Sequence, residues 1–521
     1  MPTPDAPPPL AVRLCESRGF PHAAERIDRI ETHISWVVLA GDYAYKLKKP
    51  LDLGFLDFSS LEKRRAACED EVRLNRRLAP ELYLDVVAVT GTEESPRIGG
   101  EGPVLDYAVR MHRFDRAKEL DRLLREGRLT DAHVDELARL VARFHAQVPA
   151  AVDADPWGTA EVALENALAN FGHVRSLGPD PDVAERLAGL ERWTRETHAR
   201  LAPAMAARKR DGYVRECHGD LHLANAVLLG GRVVVFDCIE FNPALRWIDV
   251  MAEIAFTAMD LHYRGRADLA RRFVNGYLEA TGDYGGLAVL RFYLVYRAMV
   301  RAKIARIRVS QAADDGARAR DRHSFVAHLA LAEAFAAPAQ RALVITCGPS
   351  GSGKSFVAAR LATTGEWIRV RSDVERRRIA GARAGERSPA DAYSAATSER
   401  TYARLAELAR IVVSAGYPAI VDATFLSSTR RRAFADLARS LGVPFAILAP
   451  RTPVAVMRER IVAREAAGAD PSEATIAVLE QQLAQFEPFA DDETAAVVGV
   501  EAGGAIDAAA LAAAVAARCA P

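Results

Sequence analysis

The segment 348–355 reads GPSGSGKS and fits the pattern G-x-x-x-x-G-K-[ST]. The apolar run ALVITC precedes it at 342–347, and a helical pattern follows it. Glycines in such a loop let consecutive backbone N–H groups turn toward phosphates, while the lysine reaches the β- and γ-phosphates and the serine hydroxyl ligates Mg²⁺. The sequence therefore predicts a loop that binds a nucleoside triphosphate with Mg²⁺, formed by Gly348, Pro349, Ser350, Gly351, Ser352, Gly353, Lys354 and Ser355.

Acidic and basic side chains recur beyond this loop. We expect Asp373 to end a second strand in VRSD, with Arg376 one turn further on, and Asp422 to end a third strand in IVDATF. A carboxylate at the C-terminal end of a strand beside a nucleotide can accept a hydroxyl proton or hold Mg²⁺ through water. Arg460 and Arg464 lie four residues apart in MRERIVAREAAG and predict a lid that closes over the phosphates. A solvated helix face remains the alternative explanation for this arginine pair.

A second group of chemical residues lies in HGDLHLAN, at 218–225, and in VVVFDCIEF, at 233–241. The spacing fits H-x-D-x-x-x-x-N followed by an acid after an apolar strand, which is the layout of the catalytic loop and metal-binding acid in protein-kinase-like folds. In this layout Asp220 reaches an acceptor hydroxyl. Asn225 and Asp237 converge on Mg²⁺ between the phosphates.

These N-terminal residues resemble the aminoglycoside phosphotransferase and choline kinase family, whose signature loop reads H-G-D-x-x-x-x-N, over roughly residues 30–335. The resemblance implies that Lys46, in AYKL, is the ATP-binding lysine and that Glu71 is its helical ion-pair partner. Lys48 shares the strand face of Lys46, and Glu69 is close to Glu71, so the choice between these neighbours stays open. The sequence departs from the kinase pattern in one respect, because no G-x-G-x-x-G precedes the strands.

The C-terminal residues resemble the polynucleotide kinase and gluconate kinase branch of P-loop kinases, over about residues 340–490. The ordered motifs are GPSGSGKS, RSDVERR, VDATFLSSTRRR and R-x-x-x-R. The resemblance implies that Asp373 is the base that activates the acceptor hydroxyl. It also implies that Arg376 and Asp422 orient the acceptor. The arginines Arg460 and Arg464 would stabilise the transferring phosphoryl group, and the whole chain resembles a bifunctional aminoglycoside phosphotransferase/ATP-binding protein.

The pattern of predicted helices and strands that would position these residues changes near Pro338. Before it, a strand pair hinged at Gly41-Asp42, a helix and further strands predict an N-lobe at about 11–115, and 116–335 reads as a helical C-lobe without a strand signal after 245. After it, apolar strands alternate with helices, which favours a parallel sheet covered by helices on both faces. We predict an α+β and α/β multidomain protein.

The chain is predicted to divide into three segments, a tail and two domains. They are a disordered tail over 1–10, a bilobal protein-kinase-like domain over 11–335 and a P-loop NTPase domain of the AAA type over 340–521.

Composition narrows the classes of partner. With 69 basic and 69 acidic side chains, no charge excess indicates nucleic acid or an anionic membrane, although arginine runs at 376–378 and 430–432 keep a nucleic-acid substrate open. The six cysteines lack metal-ligand spacing, and the sequence contains neither a signal-peptide pattern nor an 18-residue apolar run. We expect a cytoplasmic protein without a membrane partner, and its oligomeric state stays open.

The leading hypothesis is an ATP-dependent phosphotransferase that moves the γ-phosphate of ATP to a hydroxyl of a small-molecule acceptor at two sites. One alternative is that only the P-loop half is active, as a small-molecule or polynucleotide 5'-hydroxyl kinase. Another is an ATP-binding regulatory switch, in which nucleotide occupancy moves one domain against the other. Such a switch has no need of the acids Asp220 and Asp373.

Overall fold

The computed structural model describes residues 9–519, apart from 53, 55, 179, 339, 382–393, 468–473, 503 and 505. The chain forms two compact units. The first comprises Met1–Asp260 and Met299–Arg322, and the second comprises Leu261–Ala298 and His323–Pro521. The second unit therefore contains helices from the middle of the chain besides the C-terminal region. Of the expected disordered tail, residues 1–8 lie outside the described residues.

The first unit begins with a helix and a six-stranded antiparallel sheet with the strand order β1-β2-β3-β6-β4-β5. Its elements are α1 (Leu10–Ser17), β1 (Ile27–Glu31), β2 (Ser35–Ala40), β3 (Tyr43–Lys48), α2 (Leu61–Asn75), β4 (Tyr83–Gly91), β5 (Pro96–Ile98) and β6 (Val104–His112). The predicted hairpin is confirmed, since Gly41 has a φ of 57° in the turn between β2 and β3. Strand β1 was not predicted from the sequence.

Helices dominate the rest of the first unit. Its remaining elements are α3 (Leu120–Arg125), α4 (Asp131–Gln147), α5 (Ala160–Ser176), α6 (Pro181–Arg210), β7 (Val214–Glu216), β8 (Ala226–Leu229), β9 (Arg232–Val235), α7 (Pro243–Arg246), β10 (Trp247–Asp249) and α8 (Val250–Tyr263). Thr130 caps α4, because its hydroxyl accepts from the backbone N–H of His133. The strand β10, which pairs with β7, corrects the expectation of helix alone after 245.

Strands β8 and β9 form a hairpin that packs against the N-terminal sheet. Val227 and Val234 from the hairpin join Val72 of α2 and Val109 of β6 in one buried cluster. This cluster holds the β8–β9 hairpin against α2, which carries Glu71, and against β6, which pairs with the Lys46 strand β3.

The second unit contains a five-stranded parallel sheet with the order β12-β13-β11-β14-β15. The division between units falls inside α8, α10 and α11. The elements from here on are α9 (Ala267–Thr281), α10 (Leu287–Gln311), α11 (Asp315–Ala336), β11 (Leu343–Thr346), α12 (Lys354–Ala362), β12 (Ile368–Arg371), α13 (Ser372–Ile379), α14 (Ala395–Ser414), β13 (Ala419–Asp422), α15 (Ser428–Ser440), β14 (Phe445–Arg451), α16 (Val454–Ala467), α17 (Ile476–Gln485), α18 (Asp491–Thr494), β15 (Val497–Glu501) and α19 (Ala508–Arg518).

Helices flank both faces of this sheet, so the predicted fold class is confirmed. On one face, Val357 and Leu361 of α12 pack with Leu511 of α19 and with Val344 and Leu448 of the sheet. One boundary differs from expectation, because β12 ends at Arg371 and Asp373 lies in the first turn of α13.

None of the helices in the described ranges combines the length and the apolar character that crossing a membrane requires. The six cysteines are free thiols.

Candidate functional site

The phosphate loop joins β11 to α12, at the C-terminal edge of the parallel sheet. Gly351 and Gly353 have φ values of 79° and 93°, which residues with a side chain rarely adopt. A Cβ on Gly351 would also lie 2.6 Å from the carbonyl oxygen of Met457. Only glycine fits this backbone, and the resulting loop leads into the N-terminus of α12, where backbone N–H groups can bind phosphate.

Lys354 begins α12, and its Nζ donates to the carbonyl oxygen of Pro349 at 2.8 Å. Removal from water lowers the pKa of Lys354, and the negative charges of Asp422 and Asp373 oppose this effect. The structure therefore brings the loop lysine and the two predicted acids into one electrostatic cluster. Ser355 follows Lys354 in the first turn of the helix.

The two acids differ in their surroundings. Asp373 accepts a hydrogen bond from Arg376 Nη1 at 2.9 Å, one helical turn away. Asp422 ends β13 as predicted and is 4% exposed, and within the described ranges its Oδ2 atom has no hydrogen-bond partner. A buried carboxylate oxygen that no donor meets fits a place for a cation or a ligand donor.

The two predicted lid arginines lie on α16, as expected, but each contacts backbone carbonyl groups. Arg460 donates to Gly351 O at 3.3 Å and to Ala502 O at 2.5 Å, so it lies against the phosphate loop. Arg464 donates to Ala474 O at 2.7 Å, and its charge is felt by Lys354. The structure thus brings Arg460 to the loop directly and Arg464 within electrostatic range of the loop lysine.

A residue that sequence reasoning missed also contacts the loop. The backbone N–H of Ser350 donates to Gln482 Oε1 at 2.7 Å. Gln482 belongs to α17, where a single glutamine carries no signal in the sequence. Its amide oxygen occupies one of the N–H groups that the loop would offer to an anion.

The candidate site of the first unit is assembled around Lys46 on β3. Lys46 Nζ lies 2.8 Å from Glu71 Oε1 and 2.5 Å from Asp237 Oδ1. Burial disfavours the charged form of Lys46, but the surrounding carboxylates, led by Asp237, outweigh it and raise its pKa well above the usual value. The structure therefore joins the predicted lysine, its helical partner and the predicted metal acid.

Lys48 takes part in the same cluster but has a different second partner. It forms ion pairs with Glu71 and with Glu240, and all three side chains are buried. Lys46 pairs with Asp237, whereas Lys48 pairs with Glu240. The structure thus distinguishes the two lysines between which the sequence did not choose. Glu69 instead pairs with Arg65 on the exposed side of α2. Glu240 was missed, although its position three residues after Asp237 in FDCIEF could have drawn attention to it.

The loop 218–225 places Asp220 beside Asn225. Asn225 Nδ2 donates to the backbone carbonyl of Asp220 at 3.0 Å and to Asp220 Oδ2 at 3.2 Å. His222 Nε2 lies 3.5 Å from the same carboxylate oxygen. Desolvation alone would raise the pKa of Asp220, but the attraction of His222 holds it well below its usual value. The surroundings of Asp220 therefore favour its ionised form.

Side chains from other elements hold the backbone of the loop 218–225 and of Asp237. Glu253 on α8 accepts hydrogen bonds from the backbone N–H groups of His218, at 2.6 Å, and Gly219, at 2.9 Å. The Tyr83 hydroxyl accepts from the backbone N–H of Asp237 at 3.1 Å. Asp237 has a φ of 66°, an unusual conformation for a residue with a side chain. Sequence reasoning missed Glu253 and Tyr83, because neither lies in a motif.

The predicted first-unit residues therefore converge in one unit and the predicted P-loop residues in the other. Asn225 is 7% exposed, and Asp237 lies beside Lys46, whose charge lowers its pKa against the effect of burial. An amide oxygen and an ionised carboxylate are ligands that Mg²⁺ accepts. In the second unit, Ser355 and Asp422 offer the corresponding oxygen atoms.

Comparisons with known proteins find both domains. Residues 55–293 match the phosphotransferase enzyme family, APH, and residues 343–489 match the AAA domain family AAA_33. These matches confirm the two resemblances that the motifs indicate. The Mycobacterium tuberculosis (strain ATCC 25618 / H37Rv) protein Rv2004c is 31% identical over 469 residues, which cover 88% of this chain and 91% of Rv2004c.

Two solved structures resemble parts of the chain. A thermostable mutant of aminoglycoside phosphotransferase APH(4)-Ia has a TM-score of 0.40 at 12% identity, over 63% of this chain and 98% of its own. A gluconokinase from Sinorhizobium meliloti 1021 has a TM-score of 0.25 at 17% identity, over 34% of this chain and 92% of its own.

Proposed function

Since the chain belongs to the family of Rv2004c and combines a phosphotransferase domain with a P-loop kinase domain, we propose that each domain transfers the γ-phosphate of ATP to a hydroxyl of a small-molecule acceptor. The observation that carries this proposal is that each domain brings a predicted base into one cluster with its predicted phosphate-binding lysine. Asp237 forms an ion pair with Lys46 and interacts electrostatically with Asp220. In the second unit, Asp373 interacts electrostatically with Lys354.

In the first unit, Asp220 would accept the proton of the acceptor hydroxyl. The acceptor oxygen then bonds to the γ-phosphorus, the bond from that phosphorus to the bridging oxygen breaks, and ADP leaves. Lys46 offsets phosphate charge, and Asn225 and Asp237 would hold Mg²⁺. When bound, Mg²⁺ neutralises negative charge on the β- and γ-phosphates. The carboxylate of Asp220 is held by Asn225, so its proton-accepting oxygen keeps one orientation.

In the second unit, Asp373 would accept the hydroxyl proton. Arg376 donates to Asp373, which sets the orientation of this carboxylate. The loop N–H groups and Lys354 would bind the phosphates, and Ser355 and Asp422 would hold Mg²⁺. Arg460 lies against the loop and would meet charge that develops on the transferring group.

The test measures ADP release with a panel of hydroxyl acceptors: sugars, nucleosides, choline, an aminoglycoside and an oligonucleotide with a free 5'-hydroxyl. Asp220→Asn and Asp373→Asn keep the shape of the side chain but remove the base. Each change should lower acceptor-stimulated turnover by about 10²- to 10⁴-fold for the acceptor of its own domain. Asp70→Asn and Asp436→Asn, which remove exposed ion pairs with Arg73 and Arg439, serve as matched controls and should leave turnover unchanged.

The outcomes separate the alternatives. Loss with Asp373→Asn alone would indicate that only the P-loop half is active, and stimulation by the oligonucleotide would indicate an end-processing kinase. ATP binding without stimulation by any acceptor would favour the regulatory switch. Turnover that neither substitution lowers would contradict the proposed mechanism.

A further inference from the structure

Glu279 on helix α9 contacts strand β12, which leads into the first turn of α13, where Asp373 lies. Glu279 Oε1 accepts from Arg369 Nε at 3.2 Å and from Arg369 Nη2 at 2.8 Å. Glu279 Oε2 lies 3.5 Å from Arg371 Nη1. Glu279 belongs to the segment that matches the phosphotransferase family, yet it lies in the same compact unit as the P-loop residues.

Arg369 and Arg371 also contact residues of the P-loop site. Arg369 Nη1 donates to the backbone carbonyl of Ser355 at 3.3 Å, next to the hydroxyl predicted to bind Mg²⁺. Arg371 Nε lies 4.0 Å from Asp422 Oδ2, the buried oxygen without a hydrogen-bond partner in the described ranges. One carboxylate on α9 thus holds two guanidinium groups that adjoin a serine and an acid of the site.

Further contacts fix β12 and α13 against the same helix. Asn275 Nδ2 donates to Trp367 O at 3.0 Å, and Asn275 Oδ1 accepts from the backbone N–H of Arg369 at 2.7 Å. These bonds satisfy backbone groups at the edge strand of the parallel sheet. On α13, which carries Asp373, Arg378 Nη2 donates to Glu279 O at 2.7 Å. The position of Glu279 relative to the site is therefore set by several independent bonds.

We propose that Glu279 is a positioning residue for Mg²⁺ and nucleotide at the P-loop site, an inference that rests on the function proposed for that site. Glu279 and Asp422 attract the same guanidinium group of Arg371, Glu279 at Nη1 and Asp422 at Nε. Because these three side chains are largely shielded from water, losing the attraction of Glu279 strengthens the interaction of Arg371 with Asp422. Glu279 keeps Arg371 from neutralising Asp422, so the Asp422 carboxylate stays available to the cation. The P-loop site then depends on a helix outside the segment 343–489.

The experiment titrates Mg²⁺ in the presence of a fluorescent ATP analogue and the full chain. Binding at the P-loop site is defined as the part of the signal that Lys354→Ala removes. Glu279→Gln should raise the Mg²⁺ concentration for half-maximal binding at this site by about 10-fold or more, as changes to residues behind metal ligands commonly do. Glu366→Gln is the matched control, because it removes another ion pair in this unit. Glu366 Oε2 lies 2.7 Å from Nη2 of Arg291 on α10. This substitution should change the Mg²⁺ requirement by less than about two-fold.

A second variant keeps the proposal testable if Glu279→Gln does not fold. Arg371→Gln removes the cation beside Asp422, so it should lower the Mg²⁺ requirement, in the direction opposite to Glu279→Gln. A general loss of structure would weaken binding in both variants. An unchanged Mg²⁺ requirement in Glu279→Gln, an equal shift in Glu366→Gln or a raised requirement in Arg371→Gln would overturn the role of Glu279. If Lys354→Ala removed no signal, the function proposed for the P-loop site would fall first, and the role of Glu279 with it.

Discussion

The two candidate sites hold their charges in different ways. In the first unit, Lys46 and Lys48 each contact two carboxylates, and Glu71 is shared between them. In the second unit, Lys354 donates to a backbone carbonyl, and an oxygen of Asp422 has no hydrogen-bond partner in the described ranges. The lysines of the first site lie among carboxylates that compensate their charge, whereas the lysine of the second site lies in a loop of backbone shaped by glycines.

This difference has a physical consequence. Buried charges that neutralise one another form a rigid arrangement that persists without a ligand, but removing one member leaves the others uncompensated. The pKa of Lys354 is lowered instead, and a loop of backbone N–H groups around such a lysine would be completed by the anion and metal proposed to bind there. The first site should therefore respond most strongly to changes in its own side chains, and the second to the presence of nucleotide.

The largest expected effect is the loss of Glu71. Glu71→Gln should lower the free energy of unfolding of the first unit by about 3–5 kcal/mol, because it leaves two buried lysines with one carboxylate fewer. Urea-dependent hydrogen exchange of peptides from β3 and α2 measures this change.

The matched control for Glu71 is Glu69→Gln on the same helix. Glu69 pairs with Arg65, and both side chains are more than half exposed, so the cost should be under about 1 kcal/mol. Equal costs for the two substitutions would mean that the buried cluster does not hold the first site together.

A smaller effect is expected from nucleotide on the second unit. MgATP at 100 times its dissociation constant should stabilise this unit by about 2.7 kcal/mol, measured as slower hydrogen exchange in β11 and α12. Lys354→Ala should abolish the gain there and leave any gain in the first unit. Lys63→Ala, which removes an exposed lysine paired with Asp57, should change neither. Protection of β11 that persists in Lys354→Ala would contradict the assignment of the loop.

The smallest effect is a pH dependence of opposite sign in the two units. The folded-state pKa of Lys354 is lowered, so the unfolded chain holds more protons and the stability of the second unit rises with pH up to about 10.4. The folded-state pKa values of Lys46 and Lys48 are raised, so their contribution is complete below about pH 10.4 and is lost above it.

Urea unfolding between pH 8 and pH 11 measures both slopes, with Lys354→Met and Lys48→Met as references. Relative to its own reference, the wild-type second unit should gain stability toward pH 10, and the first unit should lose it beyond that pH. The same sign in both units would remove the electrostatic contrast between the sites.

Local pattern allowed much of the fold to be predicted. The loop 348–355, the hairpin at Gly41 and the alternation of strands and helices after Pro338 depend on residues that are close in sequence, because glycine conformations and side-chain periodicity act over a few bonds. Strand ends were less certain, as the place of Asp373 in α13 illustrates. Strand β1 lacked a strong apolar alternation and was missed.

The sequence by itself determined which side chains could perform phosphoryl transfer and the local backbone that presents them. The tertiary structure alone decided which charges meet: Lys46 and Asp237 are 191 residues apart, and Lys48 and Glu240 are 192 apart. Glu253, Glu279 and Gln482 act through such distant contacts and lie in ordinary helical sequence. An ion pair or a hydrogen bond depends on separation in space, which folding sets and no local pattern records.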